Sequence, residues 1–417
     1  MNLTKPGIGF WEKAGFIFLC MAVFLMPFPR SWTLYPLGLA MATGLVLWTT
    51  DFKNLIKSLI LRKWLILPLV SYFLVIFLNF LFRNPKWSFI EGYFMFLLVP
   101  LFLFPIFISE YFDKRSEIFG VMYISGIIII FFFELAVAAT GTTLIPHNSA
   151  EISFDPESFS SPFISQRLSF IEHPTYLGLK TLFALSLLII SLMETIEKKA
   201  WIVALSAVLL SYIYLLSSRT IYLACGLLVA YFIVLYLKGR KARFTALIIL
   251  PVMAVAVFWI TCVNPRTKAK FDAIKQRYAV QKLSFKDLDP RLTSWLTASD
   301  LIKRNPVLGV GLDSRNILAS EYQKNGYHNE ASLRLNAHNQ FLETQMALGM
   351  PGTVLLLLIL VAPLVFTGFL RSKYLYYAFL LVVLATFMFE SVLERQWGIM
   401  FFTVFYCYLV TKPGENN

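Results

Sequence analysis

The sequence predicts an all-α polytopic membrane protein of about twelve transmembrane helices, with a helical loop on the outer side between spans 9 and 10. Three observations predict it. Of 417 residues, 58% are hydrophobic and 15% are charged, where a soluble domain carries about 25% charge. Apolar runs near the ~20 residues that cross a bilayer recur along the chain. Lysine and arginine are dense in alternate connections and sparse in the others. Such a composition excludes a disordered chain, a collagen and an ordinary soluble enzyme.

The apolar runs fall at 14–28, 33–49, 64–82, 88–108, 118–140, 175–193, 200–216, 219–237, 243–262, 340–362, 374–390 and 396–410. The first is followed by no small-residue cleavage site, so it reads as a retained span. Residues 200–237 are apolar almost throughout. As one helix they would run to roughly 57 Å, against a hydrocarbon core of ~30 Å. The chain must turn, and the only polar interruption is Ser217-Ser218-Arg219-Thr220. Cys20, Cys225, Cys262 and Cys407 lie in or beside apolar runs without metal-site spacing and read as small buried hydrophobes. Glu91, Glu134, Lys180 and Glu390 are charges within runs. Each is a functional candidate by default, with a structural pair such as Glu134 with Lys180 as the alternative.

Orientation follows from the cations. With the N-terminus inside, the inner segments hold seventeen lysines and arginines and the short outer loops six. The bias places both termini in the cytoplasm and leaves 141–174 and 263–337 outside. The expected organisation is transmembrane helices over 1–262, a periplasmic loop domain over 263–337, and three more helices with a cytoplasmic tail over 338–417. The net charge of +13 reads as loop charge; no basic stretch interleaved with aromatics points to nucleic acid.

The long loop contains one readable helix. Asp289-Pro290 supplies an N-cap acceptor and a proline at the first helical position. Leu292, Trp295, Leu296 and Ile302 give one apolar face, expected to lie down on the membrane surface. Asn305-Pro306 ends the helix, and Gly309 and Gly311 mark a turn.

Several polar residues could carry chemistry. Arg219 sits in a tight outer turn, where it is either a snorkelling side chain or a functional cation in a place that disfavours positive charge. Arg291 falls in the first helical turn, where the macrodipole is already positive. It either pairs with Asp287 or Asp289 or helps bind an anion there. His338, in Asn336-Ala337-His338-Asn339-Gln340, and His173, in Glu172-His173-Pro174, stand at outer span boundaries. Each is an interfacial polar residue or a general base. Asp287-x-Asp289 is formally a metal pair, although capping accounts for Asp289, and no other metal or phosphate-loop motif is present. Outward arginines, an outward histidine and a surface helix suit a lipid pyrophosphate neutralised by guanidinium groups.

Four stretches resemble the O-antigen ligase family of bacterial membrane glycosyltransferases. They are Ser217-Ser218-Arg219-Thr220; Arg291-Leu292-Thr293-Ser294-Trp295 with Asn305-Pro306-Val307-Leu308-Gly309-Val310-Gly311; Ala337-His338-Asn339-Gln340-Phe341-Leu342-Glu343 with Gly349-Met350-Pro351-Gly352; and Glu390-Ser391-Val392-Leu393-Glu394-Arg395-Gln396. Their order and spacing cover about 160–410.

The resemblance implies a GT-C-like fold in the bacterial inner membrane with a periplasmic site. It implies inverting transfer of a glycan from undecaprenyl pyrophosphate to a sugar hydroxyl of lipid A–core, with no cofactor and no metal. Arg219 and Arg291 would bind the pyrophosphate, and His338 would activate the acceptor hydroxyl. Trp295, Asn339 and Arg395, and more loosely Arg167 and His173, would contact substrate. O-antigen polymerases and protein O-oligosaccharyltransferases share the pattern. A polysaccharide or lipid transporter is the reading from another class; the scarce midplane charges and the lack of two similar halves speak against it.

Overall fold

The computed structural model describes residues 8–83, 86–140, 163–194, 199–236 and 290–412. Among these every regular element is helical. The expected span 243–262, Cys262, Asp287 and Asp289 lie outside the described residues. The helices are α1 (Ile8–Leu25), α2 (Arg30–Thr50), α3 (Phe52–Leu61), α4 (Lys63–Arg83), a broken helical run α5 (Glu91–Phe107), α6 (Ser116–Ala139), α7 (Pro174–Glu194), α8 (Lys199–Leu216), α9 (Arg219–Tyr236), α10 (Pro290–Arg304), α11 (Ser314–Lys324), α12 (His328–Ser332), α13 (Gln340–Val365), α14 (Lys373–Phe387) and α15 (Gln396–Val410). By length and composition α4, α6, α7 and α13 can cross a membrane, while α5, α8, α9, α14 and α15 are shorter apolar helices.

Two compact units are present. The first comprises 1–126, 294–376 and 390–417; the second comprises 127–293 and 377–389. At the centre of the first is α15, in which every residue from Gly398 to Val410 is buried. A helix apolar all round belongs in such a position. Its Tyr406 hydroxyl donates to the Leu65 carbonyl of α4, 3.0 Å away. The approach of α2 to α5 requires Gly44, since a Cβ there would collide with the Phe102 carbonyl oxygen.

Prolines explain why the run expected at 88–108 is not one regular helix. It passes through two 3-10 turns, a short α segment, a π segment at Val99–Leu103 and a last α turn. Pro105 has no N–H for the carbonyl four residues back. That carbonyl, Leu101, instead accepts the indole N–H of Trp48 at 2.7 Å.

One end of the first unit is tied by two arginines. Arg371 donates to the carbonyls of Tyr408 and Thr411, within and just beyond the last turn of α15, to the Phe107 carbonyl, and to Asp113 at 2.8 Å. It also lies over the rings of Phe112 and Tyr408. Arg62 donates to the carbonyls of Ser58 and Lys412 and covers Phe369. Burial pulls the Arg62 guanidinium down to about 10, and the nearby Arg371 charge adds to that. Removing Arg371 orphans several carbonyls at once. Arg371→Ala is therefore expected to cost about 3–5 kcal/mol, read as a lowered unfolding temperature in detergent. Arg371→Lys should recover only part, because an ammonium cannot replace a planar fork.

Two expectations are corrected. Glu134 does not pair with Lys180: Lys180 binds Glu172 at 2.7 Å, with both side chains at most 3% exposed, and Glu134 accepts the Tyr212 hydroxyl at 2.6 Å. The loop preceding α7 folds back within reach of its second turn, which residue spacing along the spans could not reveal. Glu390 is not inside a span, because α14 ends at Phe387; Glu91 is likewise exposed at the start of α5. Of the apolar face expected on α10, Leu292, Trp295 and Ile302 are half-buried and Leu296 is exposed. The buried positions are Thr293, Ser294, Thr297, Ala298 and Leu301, while Leu296 is 44% exposed. Small side chains let this helix approach its neighbours closely, and Ala298 and Leu301 join Leu318, Tyr322, Ala337 and Met346 in one cluster.

Candidate functional site

In the second unit, Arg219 is the first residue of α9 and is exposed. The turn before it is made by Ser217, at φ +54°. The Ser218 hydroxyl shares a 3.0 Å hydrogen bond with Thr175 in the first turn of α7. One residue earlier in that turn's approach, His173 accepts the Thr175 N–H on Nδ1 at 3.3 Å and serves as a cap. Beneath it lies the Glu172–Lys180 pair. Burial pushes the Glu172 carboxyl up, and the Lys180 ammonium opposes this. The Arg219 turn and His173 are thus held by one chain of buried contacts. Arg167 ends a 3-10 turn and is exposed. Arg291, in the first turn of α10, has its guanidinium 6.0 Å from the Phe389 ring centroid.

In the first unit, His338 occupies a loop with φ +45°, a region costly for a side chain but visited by histidine more than most. Its Nδ1 is 3.4 Å from Oε2 of Glu390, and its N–H donates to Asn336 Oδ1 at 3.1 Å. Asn339 caps α13 by accepting the N–H groups of Phe341 and Leu342. The loop is woven into the one before α15. The Asn336 amide donates to Glu394, and the Leu393 N–H donates to Gln340 Oε1 at 2.6 Å. Glu343 fastens it from below, accepting the Ala337 N–H at 3.0 Å and the Ser314 hydroxyl at 2.9 Å. Arg395 stands at the end of this weave, and burial pulls its guanidinium below the usual arginine range. Trp295 is half-buried on α10.

The glycine-bearing segments are backbone partners. α13 breaks at Gly349, at φ +66°, ahead of Pro351. Pro351 leaves the Ala347 carbonyl without its helical donor, and Gly311 N–H supplies one at 2.9 Å. Val310 N–H donates to Met346, and Met350 N–H returns to Val307. A Cβ on Gly349 would strike the Val307 carbonyl oxygen. Arg83 caps the turn from α4 through the Gly309 carbonyl at 2.9 Å.

His338, Asn339 and Arg395 are therefore brought together in one unit, and Arg219 and His173 in the other. Glu343, Glu394, Asn336 and Gln340 were not assigned roles from the sequence. A charged or amide side chain at the threshold of an apolar run was the available signal, and Glu343 stood inside a quoted motif. The four non-glycine residues at positive φ among the described residues are Ser165, Ser217, Arg334 and His338. Ser165, Ser217 and His338 lie within two residues of a candidate site position or on it, where such strain is often stored. Among the described residues no group of three or more histidine, cysteine, aspartate or glutamate side chains could hold a metal ion.

Apolar helices of this kind mark a multi-pass membrane protein. Residues 204–357 match the family described as O-antigen ligase, Wzy_C, which supports the resemblance carried by the first three motif stretches; the fourth, at 390–396, lies beyond the match. The match implies a glycosyltransferase-like enzyme of the ligase or polymerase type, with lipid-linked glycan and lipid substrates in general. It contains Arg219, Arg291, Trp295, His338 and Asn339, while Arg167, His173 and Arg395 lie outside it. No curated protein gives a significant match to the chain.

Proposed function

We propose that this protein transfers a glycan from undecaprenyl pyrophosphate to a sugar hydroxyl of lipid A–core, with inversion, on the periplasmic face of the bacterial inner membrane. The observation that carries the reading is the matched stretch 204–357, which holds the Arg219 turn, the Arg291 helix start and the His338 loop in order. In this reading both termini are cytoplasmic and 263–337 is periplasmic.

The acceptor oxygen attacks the anomeric carbon as the bond from that carbon to the pyrophosphate breaks. The hydroxyl proton passes to His338. A carboxylate 3.4 Å from Nδ1 favours the proton on that nitrogen, leaving Nε2 to accept, and offsets the charge the ring gains. Arg219 and Arg291 meet the charge that grows on the departing pyrophosphate. Guanidinium pairs can do this without a metal or cofactor. Trp295, Asn339, Arg395, Arg167 and His173 contact or position substrate.

A reconstituted assay with carrier-linked glycan and acceptor lipid, without ATP, tests the reading. Product is expected, and its absence would overturn it. In cells, loss of the protein should give core-only lipopolysaccharide with long chains left on the carrier. A single capped repeat would instead assign a polymerase, and unchanged lipopolysaccharide with lost protein glycosylation a protein O-oligosaccharyltransferase. A smaller effect is expected from Thr175→Val, which removes the bond to Ser218. The donor KM should rise severalfold while the unfolding free energy falls by about 1 kcal/mol, and Thr175→Ser should restore the donor KM.

A further inference from the structure

The first unit contains a cavity of about 210 Å³ between α4, α5, α11, α13 and the loop before α15. It lies below the ~300–1,000 Å³ of pockets for drug-sized ligands, and suits one ring more than a chain. We propose that it is a subsite for one neutral sugar ring of the acceptor. The inference deepens the ligase reading and rests on it for the word acceptor.

The lining carries groups of both signs: Glu343, Glu394, Arg315 and Arg395, together with Tyr72 and Tyr93. Charges of both signs do not make a dedicated anion site. They do give a polyol what it needs, because each sugar hydroxyl both donates and accepts. The half-buried Tyr93 ring offers an apolar surface to the C–H face of a pyranose. The groups are also fixed in advance. Glu343 is held by Ser314 and the Ala337 N–H, Glu394 by Asn336, and Arg315 by donating Nε–H to the Arg334 carbonyl at 2.6 Å. A side chain already ordered loses less freedom on binding.

Position supplies the link to the reaction. Ala337, whose N–H binds Glu343, immediately precedes His338, and Asn336, which binds Glu394, is two residues before it. A ring seated in the cavity would touch Glu343 and Glu394, the two carboxylates that hold the loop carrying the base.

The test uses the full chain in two ways. In proteoliposomes, Arg315→Gln is expected to raise the acceptor KM about tenfold, with kcat within threefold and donor KM unchanged. Tyr93→Ala should do the same and replaces it if the first variant does not fold. A shifted donor KM, or no shift, would overturn the subsite. Separately, saturation-transfer NMR with free glucose and purified protein should show a signal that Arg315→Gln and Tyr93→Ala lose. Equal signals in wild type and variants, or tenfold tighter binding of glucose 6-phosphate, would overturn the neutral-sugar assignment. Glucose binding that depends on Arg315 in a protein that transfers nothing to lipid A–core would leave the subsite standing and remove the ligase reading.

Discussion

His338→Ala is expected to abolish capping of lipopolysaccharide while the protein still reaches the membrane at wild-type amount. Positioned proton transfer is worth about 10²–10⁴ in rate, so in proteoliposomes kcat should fall by that range with both KM values little changed. The side chain is 25% exposed and makes one side-chain contact of note, with Glu390, so its loss should not unfold the chain. Glu390→Gln keeps the shape and removes the carboxylate charge. It should lower kcat less than His338→Ala does, and the two changes together should cost little more than His338→Ala alone, because they act on one imidazole. Wild-type capping in His338→Ala, or strictly additive losses in the double variant, would remove the histidine from the role of base.

Arg291→Ala and Arg219→Ala carry the second large effect. Removing one preorganised donor for developing charge costs about 3–4 kcal/mol, or roughly 10²–10³ in kcat. Arg291 stands in the first turn of α10, where a cation is unfavourable by ~0.3–1 kcal/mol from the helix dipole alone. Its contact with Phe389 offsets that cost, so the unfolding temperature of Arg291→Ala is measured beside its kcat to separate lost chemistry from lost folding. Arg219 is exposed at the start of α9 and should behave alike. Lysine at either place should recover part of the rate, since it restores charge without a bidentate fork. Normal turnover in both alanine variants would sink the pyrophosphate assignment.

Much of the architecture was legible because lipid imposes a simple rule: backbone polar groups must be paired locally, so long apolar runs become helices. Eleven of the twelve expected runs fall on described helices, the other being 243–262. What the runs did not reveal was decided by contacts distant in sequence. The partner of Lys180 is set by a turn folding onto α7, and the break in α13 by a loop almost forty residues earlier. The buried face of α10 was not legible because apolar periodicity picks out greasy side chains, whereas Ser294, Thr297 and Ala298 are the buried positions here. At the site, titratable residues near motif centres stood out, whereas Glu343 and Gln340, whose work is to hold a loop, look like ordinary polar residues at a helix start.

The pairing of 307–311 with the break in α13 has an evolutionary consequence. Residues 312–335 are clipped at one end to that break and at the other, through Ala337 and Asn336, to Glu343 and Glu394. Between the clips Leu318 and Tyr322 stay bound to the core and Ser314 and Arg315 to the cavity, which leaves the exposed turn at 323–326 as the exchangeable part. Paralogues could lengthen or recompose it to suit new glycans while both anchorages stayed fixed. Insertions ought to be tolerated around Gly326, where a Cβ would meet nothing within 4 Å, and rejected at Gly309 or Gly349.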